Sequence, residues 1–355
     1  MRFRLLPIVV HFAGKEVILM ASMAPGSVKL FGEHAVVYDR VGVSASLDKY
    51  ANVRVMRSET GNIEMRLPDL NFSRTVGEKE LMDEHREVSI ALSTNPKLVD
   101  ERRKADFSLP FTYILGSAFL RSKFTPLRIE ITSDVPKHSG LGSSSAIFTA
   151  LANELNTQLK LGLSIDGVAD LANAGDTVVH GKPSGIDVST CAHGGFLRFR
   201  KGEGVTPLCV GARVPVVIAN TLVKKDTGEM IARVAKAYAS DRSGVDEIFD
   251  DMQEAAFAGM DALQSGDMVK LGAEFDRTQA CFKRLGLSTK ETDEIIAFAR
   301  KNKAYGAKIT GAGGGGCVLI LAQSPAKLIP LINKLGYPAF EATLGVEGVR
   351  HQKIG

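Results

Sequence analysis

One run of eight residues, Thr310-Gly311-Ala312-Gly313-Gly314-Gly315-Gly316-Cys317, limits this chain more than any other. Four consecutive glycines are entropically costly to order. The run sits between the branched, apolar stretches AKIT and CVLILA, so the pattern predicts strand, loop, strand. It formally matches G-x-G-x-x-G through Gly311, Gly313 and Gly316. A dinucleotide fingerprint, however, opens a helix, and here a strand follows, which excludes that fold. A plain hairpin needs fewer glycines. The loop makes most sense where backbone must approach another group closely, a tight turn being the other reading.

A second run, Gly140-Leu141-Gly142-Ser143-Ser144-Ser145-Ala146, precedes apolar residues at helical spacing: Ile147, Ala150, Leu151 and Leu155. The serines are placed at the N-cap and first turn. Close backbone approach, first-turn N–H groups and the positive end of a helix dipole make an anion site suited to phosphate. A serine hydroxyl there can also ligate a Mg²⁺ held by the same phosphates. An ordinary capped helix would read the same way. No GxxxxGK[ST] occurs, so this is not a Walker loop.

The third run, Ala24-Pro25-Gly26-Ser27-Val28-Lys29-Leu30-Phe31-Gly32-Glu33-His34-Ala35-Val36-Val37-Tyr38, alternates. Ser27, Lys29 and Phe31 fall on one strand face and Val28 and Leu30 on the other. Glu33 and His34 then sit in a turn between two strands. Between the runs lies Gly181-Lys182-Pro183-Ser184-Gly185-Ile186-Asp187. An Asp in such a loop can orient or deprotonate a hydroxyl. Asp176, near the end of the preceding helix, is a candidate Mg²⁺ ligand. Each of these polar residues, taken alone, also fits a solvated surface or a cap.

With 355 residues, about two domains are expected. The 45% hydrophobic content fills sizeable cores, which excludes disorder throughout. A net charge of +4, spread along the chain, gives no basic stripe for nucleic acid. The four cysteines are far apart and form no CxxC, which argues against a zinc site or disulfide framework and for a reducing cytoplasm. MRFRLLPIVV is too short an apolar run for a signal peptide or a membrane span and reads as a first strand or a ragged extension. Residues 16–57 read as short strands, AVVY among them. The charged stretch 58–108 reads as short helices and surface loops, or a flap. Helices are expected at 110–122, 165–180 and across 228–302. Strands mix with helices without a regular βαβ period, so the expected class is α+β, with a boundary in 200–225 that divides the chain into 1–212 and 213–355.

These runs, in this order, resemble the GHMP kinases over about Ala24 to Leu321. Within that family GEHAVVY, HGKPSGID with STCAHGG, and KITGAGGGGC look most like its mevalonate-phosphorylating branch. The resemblance implies a two-domain architecture: an N-terminal domain of the ribosomal S5 domain 2 type and a ferredoxin-like C-terminal domain, with the site between them. It implies transfer of the ATP γ-phosphate to the C5 hydroxyl of (R)-mevalonate. Another small-molecule kinase of the same fold, such as a phosphomevalonate or sugar kinase, is the alternative. Asp187 aligns with the catalytic aspartate, and Glu33, His34 and Thr227 with substrate-side residues. Ser139 to Ser145 align with the phosphate loop, and Gly313 and Gly314 with the motif that packs on it. Ser144 and Asp176 align with Mg²⁺ ligands, the latter one methylene shorter than the family's glutamate. The family's usual lysine follows Pro-Gly directly, where this chain has Ser27. Lys29, on the same strand face, is the expected replacement. A homodimer is common in the family.

Overall fold

The runs VPVVIAN and CVLILA lack the alternation of a half-solvated strand, and their packing gives the reason. Val216, Ile218, Leu319 and Leu321 enter one apolar core. Val217, Ala219, Val318 and Ile320 enter another on the opposite face. A strand covered on both sides has no polar face to show.

The computed structural model describes residues 10–12, 15–17, 19–137, 139–224 and 227–354. The first-strand reading of residues 1–10 falls, apart from Val10, outside them. A short hairpin of β1 (Val10–Phe12) and β2 (Lys15–Val17) leads into two long strands, β3 (Leu19–Phe31) and β4 (Gly42–Arg57). After them come β5 (Ile63–Leu67) and β6 (Phe72–Val76), then three helices: α1 (Glu78–Thr94), α2 (Pro96–Ala105) and α3 (Leu109–Phe119). Next are β7 (Leu127–Ser133), α4 (Ser143–Gln158), α5 (Ile165–His180), α6 (Ile186–His193), β8 (Phe196–Arg200) and β9 (Gly204–Leu208). The remainder is β10 (Val216–Asn220), α7 (Thr227–Ser240), α8 (Arg242–Ser265), α9 (Met268–Arg284), α10 (Lys290–Lys301), β11 (Ala304–Ile309), β12 (Cys317–Ala322), α11 (Pro325–Lys334), β13 (Ala339–Ala342) and β14 (Arg350–Ile354).

The larger sheet runs β14-β3-β4-β7-β5-β6, with β8 on the far end of β4 and β9 beyond it. The smaller is antiparallel, β11-β12-β10-β13. Helices α3, α4 and α5 bury Ile114, Leu115, Leu151, Leu155 and Leu171 against Val53, Val55, Ile129 and Ile131 of the larger sheet. Helices α8 and α9 fill the space between the sheets, where Ala255, Leu263, Leu271 and Phe275 meet Val28, Leu30 and Ile218. β14 leaves the 213–355 segment and pairs antiparallel with β3, Arg350 opposite Met23.

Three local expectations are corrected. AVVY is a 3-10 turn, Ala35–Tyr38, not a strand. Gly32 at φ +89 and Asp39 at φ +63 fold the chain too tightly there for extension. The stretch 58–108 is built in rather than a flap: β5 and β6 extend the sheet, and α1 buries Leu81, His85 and Val88 at helical spacing. Phe31 does not share the Lys29 face. The β3–β4 register slips between Lys29 and Phe31, and Phe31 joins Val28 and Leu30 in the core.

α9 reaches β11 backbone to backbone. A Cβ on Gly272 would lie 2.3 Å from the Tyr305 carbonyl, and main chain cannot move aside cheaply. Gly272→Ala is therefore expected to destabilise the protein by about 1–3 kcal/mol, read as a fall of several degrees in Tm. An unchanged Tm would rule out this contact.

Candidate active site

Glycine lets α6 begin where it does. Its N-cap is Gly185 at φ +85, a conformation that side chains disfavour, and Asp187 follows in the first turn. The strand β3 then presents Ser27 and Lys29, two residues apart on one face, to that carboxylate. Ser27 Oγ donates to Asp187 Oδ1 at 2.6 Å, and Lys29 Nζ donates to Oδ2. Burial by itself would raise the Asp187 pKa. The Lys29 charge, with the hydrogen bonds from Lys29 and Ser27, outweighs it and holds the carboxyl below its usual range. Cys191, one turn further on, is fully buried. Desolvation and the charges of Asp187 and Asp176 push its thiol well up, so it is no nucleophile.

The loop before α4 lies against the same stretch of β3. Ser27 N donates to Leu141 O at 3.0 Å. A Cβ on Gly26 would stand 2.8 Å from Leu141 O, and one on Gly142 only 2.2 Å from Ser27 Oγ. The glycines are thus needed for the approach of loop to strand. Gly142, at φ +65, is the N-cap, so Ser143, Ser144 and Ser145 form the first turn. Ser139 is buried, its Oγ donating to Pro136 O at 2.6 Å. Ser143 Oγ reaches Val135 O at 3.4 Å, and Ser144 is half-buried.

It is Ser145, not Ser144, that meets Asp176: its Oγ donates to Oδ2 at 2.8 Å. Asp176 Oδ1 is buried without a hydrogen-bond partner among the described residues. Desolvation, then the Asp187 charge, pushes the Asp176 carboxyl up to about 7. A divalent cation fits this donor set, since it would occupy the orphaned oxygen and return the carboxyl to its ionised form. Among the described residues no group of three or more His, Cys, Asp or Glu could hold a metal. One carboxylate with neighbouring hydroxyls is the kind of donor set on which Mg²⁺, whose shell is commonly completed by phosphate oxygens and water, would sit. His180, at the end of α5, is open to solvent.

Of the residues expected on the substrate side, His34 is buried, its Nε2 2.9 Å from Ala312 O, with the ring edge-on to Phe282. Thr227 opens α7 and is half-buried. Glu33 faces inward, ion-paired with the fully buried Lys308. Burial alone depresses the Lys308 pKa, and the Glu33 carboxylate opposes the shift, which remains downward. The glycines of the β11–β12 loop pack mainly on their own half. A Cβ on Gly313 would meet Leu287 at 2.8 Å, and one on Gly314 the Met230 Sδ at 2.6 Å. Contact with the loop before α4 includes Cys317 N, which donates to Ser139 O at 3.2 Å.

Residues 112–195 match the GHMP kinases N terminal domain, and residues 260–338 the GHMP kinases C terminal domain. A curated mevalonate kinase of Pyrococcus horikoshii is 31% identical over 339 residues, covering 93% of this chain and 97% of that one. The chain belongs to the GHMP kinases. Within them, the mevalonate kinase of Pyrococcus abyssi is 29% identical over 346 residues, covering 95% of this chain and 98% of its own. The crystal structure of Methanococcus jannaschii mevalonate kinase superposes with a TM-score of 0.77 at 26% identity, over 92% of this chain and 98% of that one. The galactose complex of Lactococcus lactis galactokinase, at 16% identity and a TM-score of 0.74 over 95% and 96% of the two chains, shares the fold.

For a GHMP kinase the sequence reading overlooked Ser27 as a partner of Asp187, and Lys308 altogether. The signal for Lys308 was present: a lone cation in the apolar strand AYGAKI. His180 had no signal beyond its place beside the GKPSGID loop.

The raised Asp176 pKa has a signed consequence. Folded, the carboxyl keeps its proton up to about 7, against an ordinary 3.8. Its contribution to stability is therefore full below about pH 4 and is lost as pH rises through 7. Metal-free Asp176→Asn is expected to exceed the parent in Tm at pH 8, with the gap closing toward pH 4. Thermal scans across that range test this, and a pH-independent gap would count against the buried, metal-free carboxyl.

Proposed function

We propose that this GHMP kinase transfers the γ-phosphoryl group of ATP to the C5 hydroxyl of (R)-mevalonate, giving 5-phosphomevalonate and ADP. The observation that carries the reading is the Ser27–Asp187–Lys29 cluster at the start of α6, beside the glycine loop that opens α4. Full-length similarity to curated mevalonate kinases supports the choice of acceptor.

Phosphoryl transfer has a loose transition state, so a kinase acts mainly by positioning and by charge stabilisation. We assign Asp187 to the acceptor hydroxyl, which it orients and whose proton it can take as the O–P bond forms. Lys29 keeps Asp187 ionised and faces the developing phosphoryl charge. The first-turn N–H groups of Ser143, Ser144 and Ser145 supply donors for phosphate oxygens. We assign Glu33, His34 and Thr227 to the acceptor side, Glu33 by supporting the wall from behind. Asp176, with the adjoining serine hydroxyls, would hold Mg²⁺, which when bound neutralises phosphate charge.

ADP release with Mg-ATP and mevalonate, phosphomevalonate, galactose or homoserine, with the product read by ³¹P NMR, tests the reading. A mevalonate-dependent phosphate ester at C5 is expected. Turnover of another acceptor alone would discard the mevalonate assignment. Asp187→Ala is expected to lose at least about 10²-fold in kcat while still binding ATP. Lys29→Met is expected to lose a similar factor, and adding Ser27→Lys to it should return part of the loss. Near-normal turnover of either single variant would remove that residue from the chemistry.

A further inference from the structure

Lys308 is among the largest fully buried side chains of the molecule, and nothing in the phosphoryl-transfer scheme uses it. It stands on β11 between Ala307 and Ile309, both wholly buried. Its Nζ lies 5.7 Å from the Phe282 ring centre and 6.0 Å from that of Phe275. The ammonium has three protons and three acceptors: Glu33 Oε1, Ile309 O at 2.7 Å and Lys29 O at 3.3 Å. An apolar residue of similar volume often serves stability as well as a buried ion pair does. What the pair holds in place is therefore the informative part.

One of the three acceptors is the main-chain carbonyl of Lys29 in β3, and a second, Glu33, lies in the turn that follows the strand. Thr310 Oγ1, two residues along from Lys308, is directed at the same carbonyl at 3.4 Å. This is where the ladder slips: Lys29 lies opposite Ser44, and Phe31 opposite Val43. An irregularity of this kind re-aims side chains and is common beside active sites. At this one, Phe31 turns into the core while Lys29 stays on the Asp187 side. The end of β11 thus grips the backbone at the point that decides where the Lys29 side chain goes.

We propose that Lys308 is a positioning residue for phosphoryl transfer: through its bonds to the Lys29 carbonyl and to Glu33 it fixes the irregular turn of β3 that aims the Lys29 ammonium at Asp187. This rests on the reading of Asp187 and Lys29 as the pair at the reacting hydroxyl. It assigns Lys308 no contact with nucleotide or acceptor. Its loss should therefore lower kcat and leave the KM for ATP nearly unchanged, and it should act only through Lys29.

A double-mutant cycle tests this, with Lys308→Met, Lys29→Met and their combination assayed by ADP release with the acceptor the panel identifies. Lys308→Met alone is expected to lower kcat at least about tenfold, with the KM for ATP within about twofold. On the Lys29→Met background it should lower kcat less than about twofold more. A full repeat of the loss on that background would overturn the proposal. Lys308→Met leaves Glu33 as a buried, unpaired charge, so the same cycle is run with Lys308→Met/Glu33→Gln, which removes both charges. Parental turnover by that folded variant would also overturn it. If the parent turned over no acceptor, the functional reading would fail, and the crystal structure of Lys308→Met/Glu33→Gln would decide separately. Lys29 Nζ displaced from Asp187 supports the positioning role, and an unchanged Lys29–Asp187 contact ends it.

Discussion

A carboxylate enclosed by protein stays ionised only with a cation beside it, and the rest of this structure is arranged around one such pair. Asp187 sits where desolvation favours protonation. Lys29 reverses that preference for Asp187, while Asp176, bonded to a neutral serine, goes the other way and is pushed up to about 7. Two carboxyls within reach of each other are thereby separated in character. One stays ionised at neutral pH, and the other would gain its missing charge from a bound metal ion. Splitting paired titratable groups by environment is a general way of assigning acid, base and ligand roles in a site.

Holding that pair requires strand, loop and helix to approach more closely than side chains normally permit. Gly26 and Gly142 remove the Cβ atoms that would keep β3 and the α4 loop apart. Gly185 lets α6 start from a left-handed residue. The core between the sheets, with Phe275 against Phe31 at 5.5 Å, sets the distance from β3 to β11. Positioning here is a property of backbones in contact, stiffer than a constellation built on long side chains.

The glycine runs, the helix opened by the serines and the strand–loop–strand around Gly311 to Gly316 were legible in sequence because each rests on local rules. So was the shared face of Ser27 and Lys29, which needs only strand alternation. Alternation failed one step later at Phe31, since a register slip depends on the partner strand. Whether Ser144 or Ser145 meets Asp176 turns on helix phase, set by Gly142 as N-cap, and one residue of phase is about 100° of rotation. AVVY carries β-branched residues, but the two positive φ angles around it outrank propensity. Lys308 stayed hidden because its partners, Lys29 and Glu33, are some 280 residues away in sequence.

The β14 strand ties the assembly of the molecule to its chemistry. β3 takes β4 as a neighbour from the adjoining sequence, and among the described residues its other edge, at Leu19–Met23, is covered by Arg350–Ile354. During synthesis that edge stays open until the whole of the second sheet has been made, and a bare strand edge is a template for wrong partners. The strand that carries Ser27 and Lys29 is therefore among the last to be fully enclosed. A chain cut short between residues 342 and 350 would keep the strands and helices that fill its cores and still leave an open edge on the strand that carries the reacting pair.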